Sequence, residues 1–174
     1  IDLGMQKQLE DILKQGLDKA KSSSGSAIIM NANTGEVKAV ANYPTFNPSD
    51  FSQQSDASVF NNSAFSSALE PGSVMKPLTL AAALNQGVVS TNSTYYDPGF
   101  VRIGDATITN VEEVAGAGTR TMRDILQLSL NTGATYLLQQ MGGGTINEKG
   151  RTAWYDYMNG HYKFGQKTGI ESYE

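Results

Sequence analysis

The chain has 174 residues, of which 39% are hydrophobic and 17% are charged, which is enough for one domain with a hydrophobic core. Its formal net charge is −4 and it has no basic cluster, so neither nucleic acid nor an anionic membrane surface is expected as a partner. The absence of cysteine excludes disulfides, thiolate metal sites and a cysteine nucleophile. No apolar run approaches the length of a membrane span, and no signal peptide is recognisable.

The first third of the chain is predicted to form a helix followed by a β-hairpin. Residues 3–21 carry apolar side chains at helical spacing, which predicts an amphipathic packing helix. Residues 26–31 and 36–41 are apolar or alternating, and the turn Asn33-Thr34-Gly35 between them predicts an antiparallel pair. Together these elements predict an α+β fold in which helices flank an antiparallel sheet. Residues 52–67 are polar and are predicted to be a surface loop with a short helix.

The rest of the chain alternates between helices and short strands. An apolar helix is predicted from about Ser73 to Gln86, and a second hairpin over residues 101–109. Thr121 is predicted to cap a helix that is interrupted at residues 129–133 and resumes as far as Met141. The pattern assigns no regular element after that helix.

Ser73 and Lys76 are the first candidates for chemistry. The Pro71-Gly72 turn delivers Ser73 to the start of an apolar helix, and Lys76 follows one helical turn later. A hydroxyl is a poor nucleophile until a neighbour takes its proton, and a lysine can do so if burial lowers its pKa. Helix N-terminal N–H groups can also hold an oxyanion. The alternative is a capping serine beside a solvated lysine.

Ser129 and Asn131 are the second pair of candidates. They lie two residues apart in a predicted tight loop, so both side chains can point the same way. The hydroxyl can relay a proton, and the amide can bond a substrate carbonyl or the lysine. The alternative is a helix break with capping side chains.

Other candidate motifs are weaker. Lys167-Thr168-Gly169 follows a glycine and favours a connecting loop over a strand that lines a cleft. The only histidine, His161, lies in a stretch predicted to be a polar loop, so a lysine or carboxylate base is favoured over histidine. Carboxylates are scattered without ligand spacing, so neither a metal site nor a cofactor is expected.

The motifs together resemble those of serine transpeptidases and β-lactamases, namely Ser-x-x-Lys, Ser-x-Asn and Lys-Thr-Gly. Longer stretches are similar to the transpeptidase domain of class B penicillin-binding proteins. They follow the family's order and cover nearly the whole chain: residues 1–3, 25–30, 34–37, 41–48, 70–73, 127–133 and 164–171.

This resemblance implies a penicillin-binding transpeptidase fold, with residues 1–174 in one domain and helices on both sides of an antiparallel sheet. It implies that Ser73 is the acylated nucleophile, that Lys76 is its base, and that Ser129 and Asn131 form the second motif of the cleft. The implied substrate is the D-Ala-D-Ala end of a peptidoglycan stem peptide. Acylation expels the terminal D-alanine, and an amine from a neighbouring strand completes the cross-link. β-Lactams would be covalent inhibitors.

The resemblance also carries expectations about the parent protein. In the family a Phe-Gly-x-x-x-Thr-Gly-Ile stretch precedes the Lys-Thr-Gly strand, so Lys167-Thr168-Gly169 coincides with the earlier landmark. We therefore expect this chain to be the N-terminal part of a transpeptidase domain and to react poorly with penicillin by itself. We expect the parent protein to be anchored in the bacterial cytoplasmic membrane, outside this chain, and to act on its outer face in a cell-wall synthesis complex.

Two alternatives stay open. One is a β-lactamase-like serine hydrolase, which would need a base to activate a deacylating water; no Glu-x-x-x-Asn element of that kind is evident. The other is a module that keeps the penicillin-binding fold without catalytic turnover.

Overall fold

The computed structural model describes residues 1–114 and 116–170. Within them the chain forms two compact units, one of Ile1–Leu69 with the described residues from Lys167 onward, the other of Glu70–Gln166. The helices and strands are, in order, α1 (Leu3–Ala20), β1 (Gly25–Met30), β2 (Val37–Tyr43), α2 (Ser63–Ser66), α3 (Met75–Asn85), β3 (Thr94–Asp97), β4 (Phe100–Ile103), β5 (Ala106–Thr109), β6 (Gly118–Thr121), α4 (Met122–Gln127), α5 (Asn131–Met141) and α6 (Glu148–Gly160). None of the described helices combines the length and the hydropathy needed to cross a membrane.

The first unit contains the predicted helix and hairpin. Strands β1 and β2 pair antiparallel, with Gly25 opposite Tyr43 and a register shift between Ile29 and Met30. Gly35 has a φ of +75°, which is the left-handed backbone that the turn requires and that glycine adopts without strain. The predicted N-terminal helix and the predicted hairpin are therefore both confirmed.

Gln6 of α1 ties the helix to strand β2. Its Nε2 atom donates to the Val40 carbonyl at 2.7 Å, and its Oε1 atom accepts from the Val40 N–H at 2.9 Å. A carboxamide carries the same donor and acceptor as a peptide group, so Gln6 pairs with β2 much as a neighbouring strand would.

The second unit is built around three helices, α3, α5 and α6, whose buried faces form one hydrophobic cluster. The buried residues of α3 recur at the three- and four-residue spacing of a helix face and are Lys76, Thr79, Leu80, Ala82 and Ala83. Lys76 therefore lies on the core-facing side of its helix rather than in solvent.

Two small sheets complete the second unit. The predicted hairpin is confirmed as β4 and β5, with Gly104 at a φ of +57° in the turn. Strands β3 and β6 also pair antiparallel, from Thr94 opposite Thr121 to Asp97 opposite Gly118. This second pairing joins segments that are distant in sequence, so local turn signals did not indicate it. The α+β class with antiparallel strands is confirmed.

Three sequence predictions need correction. Helix α5 already begins at Asn131, so the break between the helices is Leu128–Leu130 and not residues 129–133. Helix α6 was not predicted at all; Asn147 caps it by accepting the Gly150 N–H at 3.0 Å. The stretch before His161, predicted to be a loop, is the last turn of α6, and His161 is its C-cap.

Candidate active site

Ser73 stands exposed at the entrance to helix α3. It lies in a single 3₁₀ turn, Gly72–Val74, whose last residue already has right-handed helical geometry and continues into α3. Gly72 has a φ of +65°, so the chain turns sharply just before the serine. The Lys76 Nζ atom lies 3.1 Å from the Ser73 Oγ atom, one helical turn further on.

Lys76 is a buried lysine whose side chain is turned toward the serine. It is only 8% exposed, and among the described residues no carboxylate lies within ion-pair distance of it. Burial lowers the pKa of Lys76 from its ordinary value, because the charged ammonium loses solvation. A lysine in this state supplies a neutral amine at lower pH than a solvated lysine does.

Ser129 approaches the same amine from the loop between α4 and α5. Its φ of +53° is left-handed, which is uncommon for a residue with a side chain and turns the chain back toward α3. Lys76 Nζ donates to the Ser129 carbonyl at 2.5 Å and to its Oγ at 3.0 Å. The Ser129 hydroxyl in turn donates to Ser73 Oγ at 2.9 Å.

Asn131, the first residue of α5, completes the cluster. Its Oδ1 atom accepts from Lys76 Nζ at 2.7 Å, and its Nδ2 atom donates to the Thr109 carbonyl at 2.8 Å. The amide is therefore held at both ends, which leaves its oxygen facing the lysine.

The arrangement suits proton transfer. A neutral amine has two N–H donors and one lone pair. The Ser129 carbonyl and Asn131 Oδ1 can only accept, so they take the two N–H groups. The lone pair is then left to the hydroxyls of Ser73 and Ser129, which donate to the neutral amine where they accept from the charged one, and either of them can give up a proton.

The structure thus brings together the candidates Ser73, Lys76, Ser129 and Asn131. Lys167-Thr168-Gly169 belongs to the other unit and is in neither a helix nor a strand, as the loop prediction stated. Sequence reasoning missed a buried polar group behind Asn131, made of Asp97, Asn110 and Thr132. In the sequence Asp97 is one of the scattered carboxylates, and no local pattern marks it as buried.

The family to which the chain belongs follows from comparison with known proteins. The model of the penicillin-binding protein transpeptidase domain matches residues 25–174. The chain belongs to this family, and the resemblance found in its motifs is confirmed.

Named relatives agree with this assignment. The chain is 32% identical over 173 residues to penicillin-binding protein PbpB of Mycobacterium tuberculosis, covering 97% of this chain and 24% of that protein. It is 32% identical over 148 residues to peptidoglycan D,D-transpeptidase FtsI of Escherichia coli, covering 83% and 24%. It is 31% identical over 175 residues to stage V sporulation protein D of Bacillus subtilis, covering 97% and 25%. The chain therefore spans about a quarter of the length of these relatives.

Solved structures share the fold. A putative peptidoglycan glycosyltransferase from Atopobium parvulum superposes with a TM-score of 0.82 at 27% identity, covering 97% of this chain and 37% of that one. The transpeptidase domain of penicillin-binding protein 3 from Burkholderia pseudomallei gives 0.70 at 28% identity, covering 91% and 40%. The predicted penicillin-binding transpeptidase fold is confirmed by these similarities.

Proposed function

We propose that the protein carrying this chain is a peptidoglycan D,D-transpeptidase in which Ser73 is the acylated nucleophile. The observation that carries the proposal is the convergence of Ser73, Ser129 and Asn131 on the buried Lys76 amine. Similarity to FtsI, whose name states this activity, supports it. The substrate class in the proposal is the D-Ala-D-Ala end of a stem peptide.

Lys76 is the base in the proposed acylation. Ser73 Oγ attacks the carbonyl carbon of the penultimate D-alanine, and its proton passes to Lys76 Nζ, either directly or through the Ser129 hydroxyl. The carbonyl becomes an oxyanion, and the proposal assigns its stabilisation to the backbone N–H of Ser73 at the helix entrance. The C–N bond then breaks, and the departing amine of the terminal D-alanine takes a proton from Lys76 through Ser129.

The second half of the reaction reverses these proton movements. An acceptor amine attacks the ester carbonyl, and its proton passes through Ser129 to Lys76. The ester C–O bond breaks, Ser73 Oγ recovers a proton from Lys76, and a new amide bond links the two stem peptides. Asn131 keeps one N–H of Lys76 occupied throughout, so the position on Nζ that gains and loses the proton stays directed at the hydroxyls.

The proposal extends to the setting of the reaction. The substrate belongs to the cell wall, so we place the parent protein on the outer face of the cytoplasmic membrane, anchored there and joined to other cell-wall synthesis proteins. β-Lactams are proposed as covalent inhibitors, because they present a reactive amide to the same serine. Penicillin-binding is part of the name of the matching family, which supports this part of the proposal.

Labelling with a fluorescent penicillin tests the proposal on the full-length protein that carries this sequence. Stable label that is lost in Ser73→Ala is the expected result. Rapid release of the label would favour a β-lactamase-like hydrolase instead. A folded protein that takes no label at all would favour a module without catalytic turnover.

A further inference from the structure

A buried polar cluster lies directly behind Asn131. Asp97 is fully buried, Thr132 is 1% exposed and Asn110 is 7% exposed. The Thr132 hydroxyl donates to Asp97 Oδ2 at 2.7 Å, and Asn110 Nδ2 donates to the same oxygen at 3.0 Å. Asp97 Oδ1 accepts the Gly99 N–H at 2.8 Å, so both carboxylate oxygens are used.

The cluster joins the two backbone segments that hold the Asn131 amide. Asn110 follows Thr109, whose carbonyl accepts Asn131 Nδ2, and Thr132 follows Asn131 itself. Asn110 Oδ1 accepts the Thr132 N–H at 3.2 Å, which ties these neighbours to each other. Asp97 at the end of β3 binds both of them. The distance between the Thr109 carbonyl and the Asn131 side chain is therefore set by buried contacts on adjacent residues.

We propose that Asp97, Asn110 and Thr132 are positioning residues, which hold the Asn131 amide with its oxygen toward Lys76. Their effect on acylation rests on the function proposed above. If the Asn131 amide loses its Thr109 partner, it can rotate and present its NH₂ group to the lysine, so that two hydrogen-bond donors face each other. The Lys76 N–H then has no acceptor there, and the lone pair is no longer confined to the hydroxyls.

The chain offers a matched pair of variants at Thr132. Thr132→Val keeps the shape and removes the hydroxyl that Asp97 accepts, whereas Thr132→Ser keeps the hydroxyl and removes only a methyl group. In the full-length protein, we expect Thr132→Val to slow acylation by penicillin about tenfold or more, since small displacements of catalytic groups are costly. Thr132→Ser should stay within about twofold of the wild type. The final fraction of labelled protein should be unchanged in both.

A purely structural role would give a different result. If Thr132→Val lowers thermal stability or the labelled fraction but leaves the acylation rate constant of the folded protein unchanged, the proposal is wrong. The same holds if Thr132→Val slows acylation as much in an Asn131→Ala background as in the wild type, because the cluster is proposed to act through Asn131. If Thr132→Val does not fold, Asn110→Ala is used in its place, because it removes the hydrogen bonds from Asn110 to Asp97 and to the Thr132 N–H.

A second measurement does not depend on activity. The side-chain amide protons of Asn131 are followed by NMR, and we expect them to exchange faster in Thr132→Val but not in Thr132→Ser. Exchange that is equally slow in both variants overturns the positioning role, whether or not Ser73 reacts. Failure of the wild type to take penicillin overturns the proposed function instead, so the two outcomes are distinguishable.

Discussion

Lys76 Nζ lies 2.7 Å from Asn131 Oδ1, although Asn131 follows 55 positions later in the chain. An amide oxygen accepts one N–H without adding a charge, so it orients the amine and does not pair it with an anion. Together with burial of Lys76, this contact gives the site a lysine that can act as a base.

The pH dependence of acylation should report the lowered pKa of Lys76. Burial lowers it from the ordinary value of 10.5, so the neutral amine appears at lower pH than in a solvated lysine. We expect the penicillin acylation rate to rise with pH through an apparent pKa clearly below 10.5. Because the folded pKa lies below the unfolded one, the unfolding free energy should also rise as the pH increases between these two values.

Asn131→Asp provides the contrasting variant for this measurement. A carboxylate in place of the amide oxygen stabilises the Lys76 ammonium and raises its pKa. The rise of the acylation rate with pH should therefore move to higher pH, and acylation at neutral pH should become slower. If the pH dependence of the acylation rate is unchanged in Asn131→Asp, the rise of the rate with pH does not reflect the titration of Lys76.

The left-handed backbone of Ser129 can be separated from its hydroxyl. Ser129→Ala and Ser129→Gly both remove the oxygen, so both should lose acylation by about a hundredfold or more, the usual contribution of a positioned proton-transfer group. Glycine adopts a φ of +53° without strain, so the glycine variant should be about 1 kcal/mol more stable than the alanine variant. Denaturant unfolding measures the difference. An alanine variant that is the more stable of the two would contradict the strain argument.

Gly133 of α5 is predicted to tolerate no side chain. A Cβ atom there would lie 2.6 Å from Ile125 Cγ1 and 2.8 Å from Tyr95 Oη, and both of these residues are buried. Gly133→Ala should therefore lower the unfolding free energy by about 1–3 kcal/mol. Gly160 at the end of α6 has no atoms within 4 Å of the same position, so Gly160→Ala is the control and should be neutral or slightly stabilising. Equal stabilities of the two variants would contradict the packing.

The contact between α6 and α3 can be read by fluorescence, because Trp154 is the only tryptophan in the chain. Its Nε1 donates to Thr79 Oγ1 at 3.0 Å, one turn of α3 beyond Lys76. Thr79→Val removes the acceptor and should shift tryptophan emission to shorter wavelengths, with a loss of about 1–2 kcal/mol for the part-buried donor left unpaired. Thr79→Ser keeps the acceptor and should keep the emission. A shift to longer wavelengths in Thr79→Val would mean that the indole had moved into water.

Elements with a strong local signal could be predicted from the sequence. The turn at Gly35, the hairpin around Gly104 and the helix after Ser73 each depend on neighbouring residues, and the structure contains all three. The spacing of Ser73 and Lys76 likewise predicted their proximity, since one helical turn brings them together.

What the sequence could not show depends on distant residues. Strand β6 exists because it pairs with β3, and no local pattern indicates that pairing. Helix α6 is a different case, because its core-facing residues Ala153, Trp154, Tyr157 and Met158 follow helical spacing, a local signal that the sequence prediction did not use. The burial of Asp97 follows from Asn110 and Thr132, whose polar side chains look like ordinary surface residues until the fold brings them together.

The two halves of the site differ in how they depend on chain length. Ser73 and Lys76 meet within one turn, whereas Ser129 must return to Lys76 across 53 positions. The entropy lost in closing such a loop grows only with the logarithm of its length, by about 0.6 kcal/mol for each doubling. Extra residues in the exposed turn at Gly104-Asp105 would therefore change that entropy very little. The length of chain between the two motifs is free to vary, while the side chains at its ends are not.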